Sequence, residues 1–188
     1  MRETTFLLVR HGETAWNVEH RIQGHSGDVG LTARGVEQVR AAAERLADSG
    51  ARRIVSSDLA RARESAEVIA KRLGLAVTLD ASLRERSYGE LEGRPDSFLT
   101  RENSGIADGV IVDVDAAPPN GESIKELNER VTAALERLAA QHPGETIIVV
   151  THGGLIRTLR AAQSPSMLGR EWSRVANAEV WETSVTID

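Results

Sequence analysis

Phe6-Leu7-Leu8-Val9-Arg10-His11-Gly12-Glu13-Thr14-Ala15-Trp16-Asn17 is an apolar run that stops abruptly at a basic pair and a glycine. Four consecutive apolar residues close to the N-terminus read as a strand buried on both faces. Arg10 and His11 then stand at the strand's carboxyl end, where open α/β sheets bind their ligands.

Further along, Thr146 to Val150 forms a second strongly apolar strand that also ends on a reactive group, Thr151-His152-Gly153. A shorter strand, Arg53-Ile54-Val55-Ser56, runs into Ser57-Asp58, read as the N-cap of a helix. That helix carries an apolar stripe of Leu59, Ala62, Ala66, Ile69, Ala70 and Leu73 and stops at Gly74. From Thr32, the positions Val36, Val39, Ala43 and Leu46 keep a helical period up to Asp48-Ser49-Gly50, with Gly35 in the first turn, where glycine costs less than mid-helix. Residues 75–79 read as a strand, and Ile124, Leu127, Val131, Leu135 and Leu138 as one face of a long helix ended by Pro143-Gly144. A helix from about Leu155 to Ala162 and a strand near Val180 to Ile187 close the chain.

Strands alternating with helices predict an α/β three-layer sandwich with a mostly parallel central sheet. One domain over residues 1–188 is expected, with a lid-like insertion at about 94–121, where Pro95, Gly105, Gly109, Pro118, Pro119 and Gly121 break any long element.

The 23 basic and 28 acidic residues leave a net charge of −5, and the basic ones are scattered, so nucleic acid is not an expected partner. The absence of cysteine excludes disulfides, thiolate metal sites and a cysteine nucleophile together. No stretch approaches about 18 consecutive apolar residues, and the N-terminus lacks a secretory pattern. A cytoplasmic protein with no membrane partner is the expectation; a homodimer is left open.

Right-handed crossovers bring the ends of the three strands, Arg10-His11, Ser56-Ser57 and Thr151-His152, to one edge of the sheet, with Arg61 in the first turn of the following helix. Two histidines and two arginines beside helix amino termini suit a dianion such as a phosphate monoester. Asn17 and the amides around Gly12 or Gly153 would add neutral donors, and glycine lets a ligand approach the backbone. Phosphoryl transfer needs an in-line nucleophile, stabilisation of charge on the equatorial oxygens, and a proton for the leaving oxygen. Arg10 and Arg61 would do the charge neutralisation that Mg²⁺ does in kinases, so neither a metal nor another cofactor is expected.

Leu-Val-Arg-His-Gly-Glu-Thr followed by Trp16-Asn17, taken with Arg61, Glu85 and His152, resembles the signature of the histidine phosphatase superfamily, also called phosphoglycerate mutase-like. The resemblance implies the fold of that family, His11 as the nucleophile and His152 as the second pocket histidine. It also implies Glu85 as the acid that protonates the leaving oxygen and then activates water. Gln23, Gly24 and His25 fall where the family places its pocket. Arg86 and Tyr88 match positions that contact the substrate's carboxylate end in mutases; the alternative is a solvated arginine and a core tyrosine. Trp16, Trp172 and Trp181 read as packing residues, and His142 as a helix-end residue. The segment Gly24 to Leu31 departs from the family spacing by one residue and lacks the proline before the leucine.

Together these features point to a phosphatase acting through a phosphohistidine on a small phosphorylated metabolite. A 2,3-bisphosphoglycerate-dependent phosphoglycerate mutase is the alternative enzyme, and a non-catalytic phospho-ligand binder the alternative of another class. Mutases of the family carry a longer insertion and a mobile C-terminal tail, which favours hydrolysis here, while Arg86 and Tyr88 pull the other way.

Overall fold

Successive side chains of β1 (Arg2–Arg10) point to opposite faces of the sheet, and both faces are covered. Phe6 and Leu8 join one buried apolar cluster, Leu7 and Val9 another. The same alternation in β6 (Thr146–Thr151) sends Ile147 and Val149 to the first cluster and Ile148 and Val150 to the second. An unbroken apolar run suits a strand with helices on both sides.

The computed structural model describes residues 1–26, 28–107, 110–163 and 175–187. Its main sheet also contains β2 (Arg53–Ser56), β3 (Val77–Leu79) and β7 (Val180–Ile187), in the order β3-β2-β6-β1-β7. Four strands run parallel, and β7 pairs antiparallel with β1, so the sheet is mostly parallel as expected. The register sets Arg10 beside Thr151 and Ser56 beside Val150. The three strand ends therefore do share one edge.

On one face, α2 (Ala33–Leu46) and α3 (Ala60–Leu73) supply Val39, Leu46, Ala62, Ala66 and Ile69 to the second cluster. On the other, α5 (Ile124–Gln141) and α6 (Gly153–Gln163) supply Leu127, Val131, Leu135, Leu155 and Ile156 to the first. Thr32 caps α2 by accepting from the Gly35 amide, and Ser123 with Glu126 makes a capping box on α5. The start of α3 corrects the sequence reading: Leu59 occupies the cap without a side-chain bond. Asp58 instead receives the Arg84 guanidinium at 2.7 Å, and Ser57 faces His152. Asp58 is drawn to Arg84, and the Ser57 hydroxyl reaches only the amide of the cap residue Leu59, at 3.4 Å.

Among its described residues the 94–121 stretch holds only short elements, including α4 (Arg101–Ser104) and the antiparallel pair β4 (Ile106–Ala107) and β5 (Val110–Ile111). Buried Arg86 pins it, donating to the carbonyls of Glu122, Ser104 and Ala116 at 2.6, 2.7 and 2.9 Å. Trp181 packs on the first cluster, and Trp16 is half-buried beneath the Arg21 guanidinium. Trp172 lies outside the described residues.

Past β1 the chain turns through α1 (Ala15–Val18) and presses on α2. A Cβ on Gly12 would stand 2.4 Å from the Gly35 carbonyl oxygen, and one on Gly35 would stand 2.2 Å from that of Glu13. Gly12 therefore opens toward a helix and not toward a ligand, which corrects the expectation for it. In an ordinary helix, alanine is better than glycine by about 1 kcal/mol; at this contact the added methyl must push the loop bearing His11 off α2. Gly35→Ala is expected to destabilise the fold by about 1–3 kcal/mol, the usual cost of overpacking, read as a lower urea midpoint. A variant as stable as the parent would contradict the close approach.

Candidate active site

His11 lies at the carboxyl end of β1 and is 3 % exposed. Its Nδ1 is 2.7 Å from the Gly12 carbonyl oxygen, which can only accept, so Nδ1 carries the proton and Nε2 the lone pair. Burial first, then the Arg61 and Arg10 guanidinium groups, hold its pKa well below the ordinary 6.5, with the Gly12 carbonyl opposing. The ring is thus neutral at pH 7. Its backbone carbonyl accepts from Asn177 Nδ2 at 3.2 Å, and the Gly12 amide donates to Ser65 Oγ at 3.1 Å.

His152 stands beside it, with ring centroids 5.3 Å apart and a tilt of 59°. It is fully buried behind the cleft, and burial, Arg61, His11, Arg10 and His25 together lower its pKa well below 6.5. Its Nε2 is 2.8 Å from Ser57 Oγ, while Nδ1 has no partner among the described residues.

Arg10 donates to the Val175 carbonyl and lies against Gly153, where a Cβ would be 3.2 Å from its Nε. Gly153 thus makes room for this guanidinium. Arg61, in the first turn of α3, is fully buried and donates to the Ser26 and Gly24 carbonyls at 3.0 and 2.6 Å. Burial lowers its pKa to about 10 against the pull of Glu85 and Glu92, so it stays cationic at neutral pH. Its Nε has no partner among the described residues. Two buried polar atoms beside His11, Arg61 Nε and His152 Nδ1, thus have no partner among the described residues.

Glu85 is held by two backbone amides, those of Arg86 and Gly154, each at 2.9 Å. A Cβ on Gly154 would fall 2.3 Å from Glu85 Oε1, so only glycine admits the carboxylate there. Arg130 fixes the chain around it from behind, donating to the Ser82, Arg84 and Glu85 carbonyls and pairing with Glu122.

Arg10, His11, Arg61 and Glu85 wall a cleft of about 150 Å³, and Asn17, Gln23, Gly24, Tyr88 and Gly153 are among its other lining residues. Asn17 Oδ1 accepts from Thr14 and Asn177, which leaves its NH₂ to a ligand. Gln23 accepts from Thr14. Gly24 takes a positive φ of 49° and gives its carbonyl to Arg61, in a loop that Glu92 ties down through His25 and Ser26. His25 Nε2 reaches the Glu85 carbonyl at 2.7 Å. Tyr88 is buried and also lines the cleft. Arg86 is the exception: its three guanidinium nitrogens are engaged by carbonyls and it does not line the cleft. The expected substrate contact is corrected to a brace.

Sequence reasoning brought Ser57 to the edge but read it as a helix cap, and it missed Gly154, Arg130 and Arg157, the last of which also lines the cleft. The second glycine of His152-Gly153-Gly154 was a visible signal; nothing local marks the others. Among the described residues no group of three or more His, Asp or Glu side chains could hold a metal, and no helix is long and apolar enough to cross a membrane. The arrangement supplies a neutral nucleophile, fixed cations for a phosphoryl group, and a carboxylate within the same cleft.

The model of the histidine phosphatase superfamily (branch 1) matches residues 6–187. The chain is 40% identical over 185 residues to phosphoglycerate mutase-like protein 4 of Arabidopsis thaliana, spanning 93% of this chain and 76% of that one. The solved mycobacterial glucosyl-3-phosphoglycerate phosphatase with VO3 aligns at a TM-score of 0.80 and 31% identity, over 97% of this chain and 90% of that one. A phosphoserine phosphatase variant from Entamoeba histolytica with phosphoserine aligns at 0.81 and 27% identity, over 95% and 89%. With nearly its whole length matched and the signature residues gathered at one sheet edge, the chain belongs to the histidine phosphatase superfamily.

Proposed function

We propose that the protein hydrolyses small-molecule phosphate monoesters through a phosphohistidine on His11. One observation carries this reading: a buried, neutral imidazole whose Nδ1 is committed to the Gly12 carbonyl, so that Nε2 keeps the lone pair in a cleft shared with Arg10 and Arg61. Nε2 attacks phosphorus, the ester P–O bond breaks, and the leaving oxygen takes a proton from Glu85. Water then attacks the phosphoryl group, Glu85 takes a proton from that water, and the N–P bond breaks to release inorganic phosphate. Arg10 and Arg61 neutralise charge on the equatorial oxygens throughout, so no step needs a divalent ion. The phosphatases among the similar solved structures support hydrolysis. Arg86, whose match to the mutase pattern favoured the alternative, is engaged with three carbonyls, which weakens the case for a mutase.

His11→Ala is expected to lose turnover of an aryl phosphate, whereas the parent enzyme keeps its turnover in a chelator; activity in the variant contradicts the nucleophile. Read on kcat/KM, which reports phosphoryl transfer to His11 and not the later attack of water, Glu85→Gln should slow alkyl phosphates by about 10²-fold or more, in the usual range for a general acid. Aryl phosphates should be slowed far less, because their leaving oxyanions need no proton. Equal losses on both would show that another group is the acid.

The His11 pKa is depressed, so the nucleophile stays neutral until the pH falls well below 6.5. Corrected for ionisation of the substrate, the acid limb of the kcat/KM profile is expected below that value. A limb at or above it would contradict the burial of a neutral ring.

A further inference from the structure

Ser57 belongs to no part of the chemistry described so far, yet it is fully buried and its hydroxyl lies 2.8 Å from His152 Nε2. The same oxygen accepts from the Leu59 amide at 3.4 Å. A serine hydroxyl has one proton and two lone pairs. With one lone pair facing the Leu59 amide, its proton needs an acceptor, and among the described residues the one bonded to this oxygen is Nε2 of His152.

We propose that Ser57 donates to Nε2 and thereby fixes the proton of His152 on Nδ1, making that imidazole a neutral donor to the phosphoryl group carried by His11. Nδ1 is the buried nitrogen without a partner, and its ring is the neighbour of His11 at 5.3 Å. The opposite tautomer fails twice. The Ser57 proton would be buried without an acceptor, and Nδ1 would present a lone pair to phosphoryl oxygens that also carry only lone pairs.

Burial and four cationic or histidine neighbours, Arg61, His11, Arg10 and His25, keep His152 from charging, so its value as a donor depends on where its single proton sits. Ser57 is then a positioning residue, acting through His152. The inference rests on the phosphohistidine reading for its purpose, but the tautomer itself is a property of the unreacted enzyme.

Nitrogen NMR of enzyme with labelled histidine, at neutral pH and without ligand, reads it directly. The His152 signals are identified by their loss in His152→Asn. The expected result is a protonated Nδ1 and a bare Nε2; a main tautomer protonated on Nε2 overturns the proposal. In Ser57→Ala the preference should give way to a mixture, and kcat/KM for an aryl phosphate should fall by about tenfold, as for loss of one buried hydrogen bond. An unchanged tautomer or an unchanged kcat/KM overturns it as well. If the tautomer is as stated but no phosphoryl adduct forms on His11, the phosphohistidine reading has failed and this assignment has not.

Discussion

The hydrogen bond from His11 Nδ1 to the carbonyl of its own neighbour, Gly12, is the interaction on which the site depends. It decides which nitrogen is nucleophilic, and it exists only because the chain turns sharply as it leaves β1. That turn is held from three sides. The Gly12 amide reaches Ser65 on α3, Asn177 holds the His11 carbonyl, and the glycine pair Gly12–Gly35 lets α2 close over the loop. The sheet register then brings Thr151, and so His152, alongside.

Around this ring the fold has buried cations at two places and used them differently. Arg86 gives its guanidinium to three carbonyls of the segment that follows, and so braces the chain next to Glu85. Arg61 gives two nitrogens to the loop at Gly24 and Ser26, and its Nε has no partner among the described residues. A buried guanidinium is costly unless negative charge lies nearby, and here Glu85 and Glu92 act on Arg61. Because the donors are fixed beforehand, little reorganisation is left for the reaction. Burial first, and then the same field, keeps both histidines neutral.

Much of this was legible in the amino-acid order. The unbroken runs 6–9 and 146–150 announced two-faced strands, and the reactive residues that end them announced the edge where the site lies. His11, Arg61, Glu85 and His152 were readable by likeness, and the helices by their period. What sequence could not show was direction. Nothing local says that Arg86 turns into carbonyls, that the space at Gly12 is for α2, or that Ser57 turns to His152 and leaves the α3 cap unfilled. These follow from which elements the fold brings together over tens of residues, and only geometry reveals them. Gly154 lies between: its place beside Gly153 was visible, its reason, the 2.3 Å approach of Glu85, was not.

The central claim is that Nε2 of His11 takes the phosphoryl group, and the most direct measurement is to find that group. Enzyme mixed with a labelled phosphate monoester in a chelator, quenched under basic conditions and mapped by mass spectrometry, should carry the adduct on His11. An adduct on His152 or on a serine, or turnover with no covalent adduct at all, would contradict the account.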